Sequence, residues 1–144
     1  MPSASLAGKR VLLAEDDESS RKVMAAVLRE MGLEVIESGD GGRMLVAVAS
    51  HYREGRTPGD LDLVVTDVRM PVVGGLDIFK GMRAAGWTTP VIVVTGYDTP
   101  VVRETVARFG ALLLSKPVDL AVFEEAVRTQ LEAPRPSRRP PGSS

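Results

Sequence analysis

Short apolar runs alternate along the chain with longer stretches whose apolar residues recur at helical spacing. Val11 to Ala14 is apolar and β-prone. Arg21 to Met31 then carries Val23, Met24, Val27, Leu28 and Met31 on one stripe, and Gly32 ends it. Glu34 to Glu37 predicts a short strand around Val35 and Ile36. Asp40 to Tyr52 predicts a helix with Met44, Leu45, Val48 and Ala49 on one side. Leu63 to Val65 is a buried-strand run. Gly74 and Gly75 precede a helix bearing Leu76, Ile78, Phe79 and Met82, and Thr88-Thr89-Pro90 leads into the run Val91 to Val94. Thr99-Pro100 is a helix start, with threonine as N-cap and proline at the first helical position. Val102, Thr105, Val106 and Phe109 follow at helical spacing, and Gly110 closes the helix. Leu112 to Leu114 is the last strand. Asp119 caps a final helix with Leu120, Phe123, Val127 and Leu131 as its inner face.

Five strands alternating with five helices predict an α/β domain, a parallel sheet covered by helices on both faces. Crossovers of this length are right-handed. Ligands of such sheets sit outside the carboxyl ends of the strands, where the strand order switches. Between the second helix and the third strand lies a polar loop, Glu54 to Asp60, carrying Gly55, Pro58 and Gly59. From Ala133 to Ser144 the composition turns to Pro, Arg, Ser and Gly, which predicts a disordered tail.

With 144 residues the chain makes one domain of ordinary size. Eighteen basic side chains against 19 acidic ones leave a net charge of −1, so no bulk attraction to nucleic acid or membrane is predicted. The absence of cysteine excludes disulfides, thiolate zinc sites and thiol catalysis. The single histidine, His51, cannot build a histidine-rich metal site and reads as a surface residue near a helix end. Met1 to Gly8 lacks the apolar region of a signal peptide, and no run approaches the ~20 apolar residues of a membrane span. A cytoplasmic protein is the expectation.

The strand ends carry the chemistry. The first ends in Glu15-Asp16-Asp17, the third in Asp67, the fourth in Thr95-Gly96 and the fifth in Ser115-Lys116-Pro117. The second, ending near Glu37, adds nothing assignable. Two carboxylates ~4 Å apart repel by about 4 kcal/mol at an effective dielectric of ~20. A divalent cation relieves this, and an all-oxygen ligand set suits Mg²⁺ or Mn²⁺. Glu15, Asp16 and Asp67 would supply the side chains. A carboxylate can also accept a phosphoryl group, and a metal, a cation and a hydroxyl around it stabilise the transferring oxygens. Lys116 is the cation and Thr95 the hydroxyl, while the N–H groups after Asp67 and at Gly96 can donate as well.

Each residue alone has an ordinary structural role. Acids before a helix favour its dipole, Asp67 suits a strand-end turn, Thr95 is β-branched, and Lys116 is a surface lysine. Their order, one group per strand end, favours the joint reading.

Here the chain resembles the receiver domains of two-component response regulators. The motifs are Val-Leu-Leu-Ala-Glu-Asp-Asp (11–17), Val-Val-Thr-Asp-Val-Arg-Met-Pro (64–71) with Gly74-Gly75, Val-Val-Thr-Gly (93–96) and Ser-Lys-Pro (115–117). The resemblance spans residues 8–132. It implies a flavodoxin-like, doubly wound (βα)5 sandwich with strand order 2-1-3-4-5. The family's acid pair stands six and five residues before an arginine early in the first helix; Arg21 is that arginine, so the pair is Glu15 and Asp16 and Asp17 is a neighbour. The resemblance further implies Asp67 as phospho-acceptor, Thr95 as the hydroxyl turning toward the acyl phosphate, and Lys116 as the phosphate-binding lysine, with a cis bond to Pro117. The main-chain carbonyl of Arg69 is implied as the third protein ligand of Mg²⁺. Arg69 and Tyr97 hold positions that tune phosphate lifetime in relatives. Three departures stand out. The loop Glu54 to Asp60 is long, the segment Gly110 to Lys116 is one residue short, and Leu113 replaces the family's switch aromatic.

The function so implied is a single-domain response regulator in a phosphorelay. A histidine kinase or histidine phosphotransfer protein is the donor, and a protein partner engages the surface 101–131. It is not a turnover enzyme. No nucleic acid or membrane partner is expected from the chain, and a homodimer is left open. The competing reading is an interaction module that is never phosphorylated. An aspartyl-phosphate phosphatase is disfavoured because Asp67-Val68-Arg69 lacks a second carboxylate two residues on.

Overall fold

The computed structural model describes residues 6–53 and 61–133, with side chains at 6–50 and 61–133. The expected loop at 54–60, the expected tail at 134–144, the side chain of His51 and residues 1–5 lie outside the described residues. The elements alternate strictly: β1 (Arg10–Ala14), α1 (Glu18–Glu30), β2 (Glu34–Ser38), α2 (Gly41–Arg53), β3 (Leu63–Thr66), α3 (Gly75–Ala84), β4 (Val91–Thr95), α4 (Pro100–Arg108), β5 (Leu112–Ser115) and α5 (Leu120–Glu132). All strand pairs are parallel and the order is β2-β1-β3-β4-β5, as the resemblance implied. Among the described residues no helix is long and apolar enough to cross a membrane.

Two cores form because the central strands present apolar side chains to both faces. Val11, Leu13, Leu63, Val65, Ile92 and Val94 pack against α1 and α5 through Met24, Leu28, Phe123 and Val127. On the other face Leu12, Val64, Val91 and Val93 pack with Met44, Ile78, Phe79, Met82 and Val106. Trp87, just before β4, is also buried there. Fully burying one such aliphatic side chain contributes about 1.5–3 kcal/mol before ordering costs.

The helix starts follow their caps. Thr99 accepts from the Val102 N–H at 3.2 Å and Asp119 from the N–H groups of Ala121 and Val122 at 2.8 and 3.1 Å. α1 begins three residues before Arg21, because Asp17 caps it and the polar turn Glu18-Ser19-Ser20 is helical although it carries no apolar stripe. Three expected inner-face residues are exposed instead: Val23 (47%), Leu45 (44%) and Leu120 (41%). Each sits at the border of its stripe, where the helix surface turns away from the sheet. The edge strands also differ from the expectation of strands covered on both faces. Four of the five residues of β2, and all of β5, are half-buried or exposed.

Candidate functional site

Strand register assembles the site. Ala14 pairs with Thr66, so Glu15 and Asp67 are each one residue beyond a matched pair and lie side by side. The Asp67 N–H donates to the Ala14 carbonyl at 3.2 Å and closes that ladder. Thr95 pairs with Ser115, and the Lys116 N–H donates to the Thr95 carbonyl at 2.9 Å, which brings the lysine to the same edge. The Lys116–Pro117 bond is cis, as the resemblance implied.

Asp67 is the centre of the cluster and is 7% exposed. Its Oδ1 accepts from the Val68 N–H at 2.6 Å and from the Arg69 N–H at 3.4 Å. Its Oδ2 accepts from Lys116 Nζ at 2.7 Å. The same ammonium lies 2.5 Å from Glu15 Oε1. Carboxylate oxygens of Glu15, Asp16 and Asp67 lie within 4.8 Å of one another, with Glu15 and Asp67 buried and Asp16 exposed. Burial raises the Glu15 carboxyl above its ordinary range, against the lowering effect of its contact with Lys116. Burial alone would lower Lys116; its bonds to Asp67 and Glu15, and their charges, outweigh that and raise it. This donor set fits a hard divalent cation. Three carboxylate oxygens converge, no nitrogen or sulfur ligand is among them, and the exposure of Asp16 leaves an open side for water.

Close approach requires glycine at position 75. A Cβ there would stand 2.0 Å from the Asp67 carbonyl oxygen and 2.2 Å from Thr66 Oγ1. The Thr66 hydroxyl donates to that carbonyl at 2.9 Å, so helix α3 begins directly against the Asp67 main chain. Gly96, by contrast, has open space where a side chain would project.

Thr95 is fully buried, and its Oγ1 accepts from the Tyr97 N–H at 3.0 Å. The Arg69 guanidinium stacks 3.7 Å from the centre of the Tyr97 ring, so the two flanking residues form one unit beside Asp67. Asp17 caps α1, its Oδ2 accepting from the Ser20 N–H at 2.9 Å, while its own N–H donates to Glu15 Oε2 at 3.3 Å. Glu15 and Asp16, rather than Asp17, are the carboxylates that converge with Asp67. The structure brings Glu15, Asp16, Asp67 and Lys116 together, with Thr95 on the adjoining strand. Leu113 is half-buried in β5 and packs into the core under α2, α3 and α4.

The reading of the sequence missed what β2 contributes. Glu37 pairs with Arg21 at 3.3 Å and with Arg29 at 3.0 Å, and Arg21 Nη1 donates to the Glu15 carbonyl at 2.9 Å. Only the spacing of Arg21 from the acid pair hinted at a role. It also missed Asp98, which accepts from Arg103 and from the Ser115 hydroxyl and so ties the β4–α4 loop to the end of β5.

A buried aspartate, two further carboxylates and a converging lysine thus meet at the carboxyl end of a 2-1-3-4-5 sheet. The family model for the response regulator receiver domain matches residues 11–128, and the chain belongs to that family. It is 34% identical over 122 residues to the transcriptional regulatory protein FixJ of Azorhizobium caulinodans, covering 84% of this chain and 54% of that protein. It is 33% identical over 112 residues to the alkaline phosphatase synthesis transcriptional regulatory protein SphR of Synechococcus elongatus, covering 77% of this chain and 44% of that protein. The chain thus spans about half the length of these relatives. The receiver domain of the hybrid histidine kinase CckA superposes with a TM-score of 0.67 at 33% identity, over 85% of this chain and 99% of that one.

Proposed function

We propose that Asp67 accepts a phosphoryl group from the phosphohistidine of a histidine kinase or phosphotransfer protein, and that the modified domain signals by protein contact. The convergence of Lys116 and two further carboxylates on Asp67 carries this reading. In the transfer an Asp67 carboxylate oxygen forms the new bond to phosphorus. The phosphorus–nitrogen bond to the donor imidazole breaks, and the nitrogen keeps the electron pair and is protonated from solvent. Lys116 and the N–H groups of Val68 and Arg69 hold Asp67 in place and offset charge on the transferring oxygens. Thr95 turns its hydroxyl from the Tyr97 N–H toward the product. Glu15, Asp16, Asp67 and the Arg69 carbonyl would hold Mg²⁺, which supplies charge neutralisation of the transferring oxygens.

A groove of about 650 Å³ opens beside Lys116, bordered by Ser20, Val23, Met24, Pro117 and Leu120. The exposed Val23 and Leu120 give the donor protein an apolar rim to meet. Phosphorylation adds a charge of ~−2 at Asp67 and biases the surface 101–131, through which a downstream protein is engaged. A switch from 1:99 to 99:1 requires about 5.5 kcal/mol of differential stabilisation. The domain acts in the cytoplasm and is not a turnover enzyme. Asp67→Asn abolishes hydroxylamine-sensitive incorporation of phosphate from a small acyl phosphate; retained stoichiometric labelling would sink the assignment.

Leu113 favours one second reading, an interaction module that needs no phosphorylation, since it offers no ring to couple to Thr95. Under that reading partner binding is indifferent to Mg²⁺ and to Asp67→Asn; dependence on either removes it.

A further inference from the structure

The peptide group joining Glu15 to Asp16 lies beyond the reach of the sheet. The last bond of the β1–β3 ladder there is Asp67 N–H to the Ala14 carbonyl, and the Glu15 N–H is taken by the Ser38 carbonyl at 3.0 Å. The next carbonyl, that of Glu15, turns to α1 and accepts from Arg21 Nη1 at 2.9 Å. A peptide plane is rigid, so fixing this oxygen also fixes the direction in which the chain continues into Asp16. Asp16 is the exposed carboxylate of the three and has the most freedom to swing away.

Arg21 is itself held. Its Nε lies 3.3 Å from Glu37 Oε1, and the other Glu37 oxygen is 3.0 Å from Arg29 Nη2. At Gly39, just past β2, a Cβ would stand 3.1 Å from Arg21 Nη1, so glycine leaves room for the guanidinium. Glu37 also sets a negative charge beside a cation that would otherwise repel a metal ion bound nearby.

We propose that Arg21 is a positioning residue of the divalent-cation site. It orients the Glu15–Asp16 peptide, and Glu37 fixes and neutralises its guanidinium. The inference rests on the reading of Glu15, Asp16 and Asp67 as cation ligands. A purely structural alternative is that Arg21 only clasps α1 to β2, as Arg29 does.

Calorimetric titration of the full chain with Mg²⁺ alone, with no phosphoryl donor present, separates these. Loss of a partner behind a metal ligand weakens affinity about 10-fold or more. Arg21→Met therefore raises the Mg²⁺ Kd about tenfold, and Arg21→Lys, which keeps a donor for the carbonyl, recovers part of it. Arg29→Met lowers Tm by a similar amount yet leaves the Kd unchanged. Equal Kd values for Arg21→Met and wild type overturn the inference, as do equal losses in the Arg21 and Arg29 variants. If Arg21→Met does not fold, Glu37→Gln serves: a weakened Kd supports the inference and an unchanged one overturns it. Mg²⁺ affinity that survives Asp16→Asn, or no Mg²⁺ binding by the wild type, overturns the site reading and this inference with it. Affinity that needs Asp16 but ignores Arg21 overturns the inference alone.

Discussion

β3 and β4 are buried at every residue, whereas every residue of β5 is half-buried or exposed and α4 fully buries only Val106. Asp67, the proposed acceptor, stands at the end of the first pair. The surface proposed for output is built from the second. Interiors at close-packed density respond to small displacements as rigid bodies, so the central strands hold Asp67 and Thr95 in fixed relation. A flank with few fully buried side chains shifts at lower cost. Under the proposed function the difference teaches a division of labour, with chemistry where the fold is stiff and the response where it is loose. Beyond the β4–β5 ladder itself, two contacts at the site end tie them together, the Lys116 N–H to the Thr95 carbonyl and the Asp98–Ser115 hydrogen bond.

The contrast breaks most visibly under truncation. Ile92→Ala, in the middle of β4, costs about 2–5 kcal/mol in denaturant unfolding. Gly75→Ala, which drives a methyl against the Asp67 main chain, costs about 1–3 kcal/mol and also slows phosphate uptake by displacing the acceptor. Val102→Ala, half-buried on α4, costs less than about 1 kcal/mol by the same assay. A larger loss at Val102 than at Ile92 would reverse the assignment of stiff and loose regions.

The smallest effect concerns pH. The bonds to Arg103 and Ser115 lower the Asp98 carboxyl below its ordinary value of 3.8. Its contribution is thus fully present above that value and is lost as pH falls through the lower folded-state value. In this acid window, hydrogen exchange at the start of α4 quickens in the wild type. Asp98→Asn removes that step and leaves exchange in β4 unaltered. An identical acid response in the two proteins would discount the Asp98 tie.

Much of this was legible in the sequence because its signals are local. Thr99-Pro100 and Asp119 cap helices through neighbours two or three residues on. The resemblance to the receiver family singled out Glu15 and Asp16 from Asp17 by their spacing to Arg21, and these two carboxylates are the ones that converge with Asp67. What escaped depends on contacts distant along the chain. The Arg21–Glu37 pair joins residues 16 apart on different elements, and Asp98 meets Ser115 across 17. The exposure of Val23 and Leu120 escaped for a related reason. A helical stripe records which residues are apolar, while a groove beside Lys116 leaves its border residues uncovered. The polar first turn of α1 carries no stripe, so its helical state depends on the Asp17 cap.

The most direct test of the account is backbone NMR of the chain with Mg²⁺ and beryllofluoride, a mimic of the acyl phosphate. The account predicts Mg²⁺-dependent shifts at Asp67, Thr95 and Lys116 that extend through the β4–α4 loop into α4 and β5 while the first residues of β1 and β3 stay still. Spectra unchanged at Asp67, Thr95 and Lys116 would contradict it.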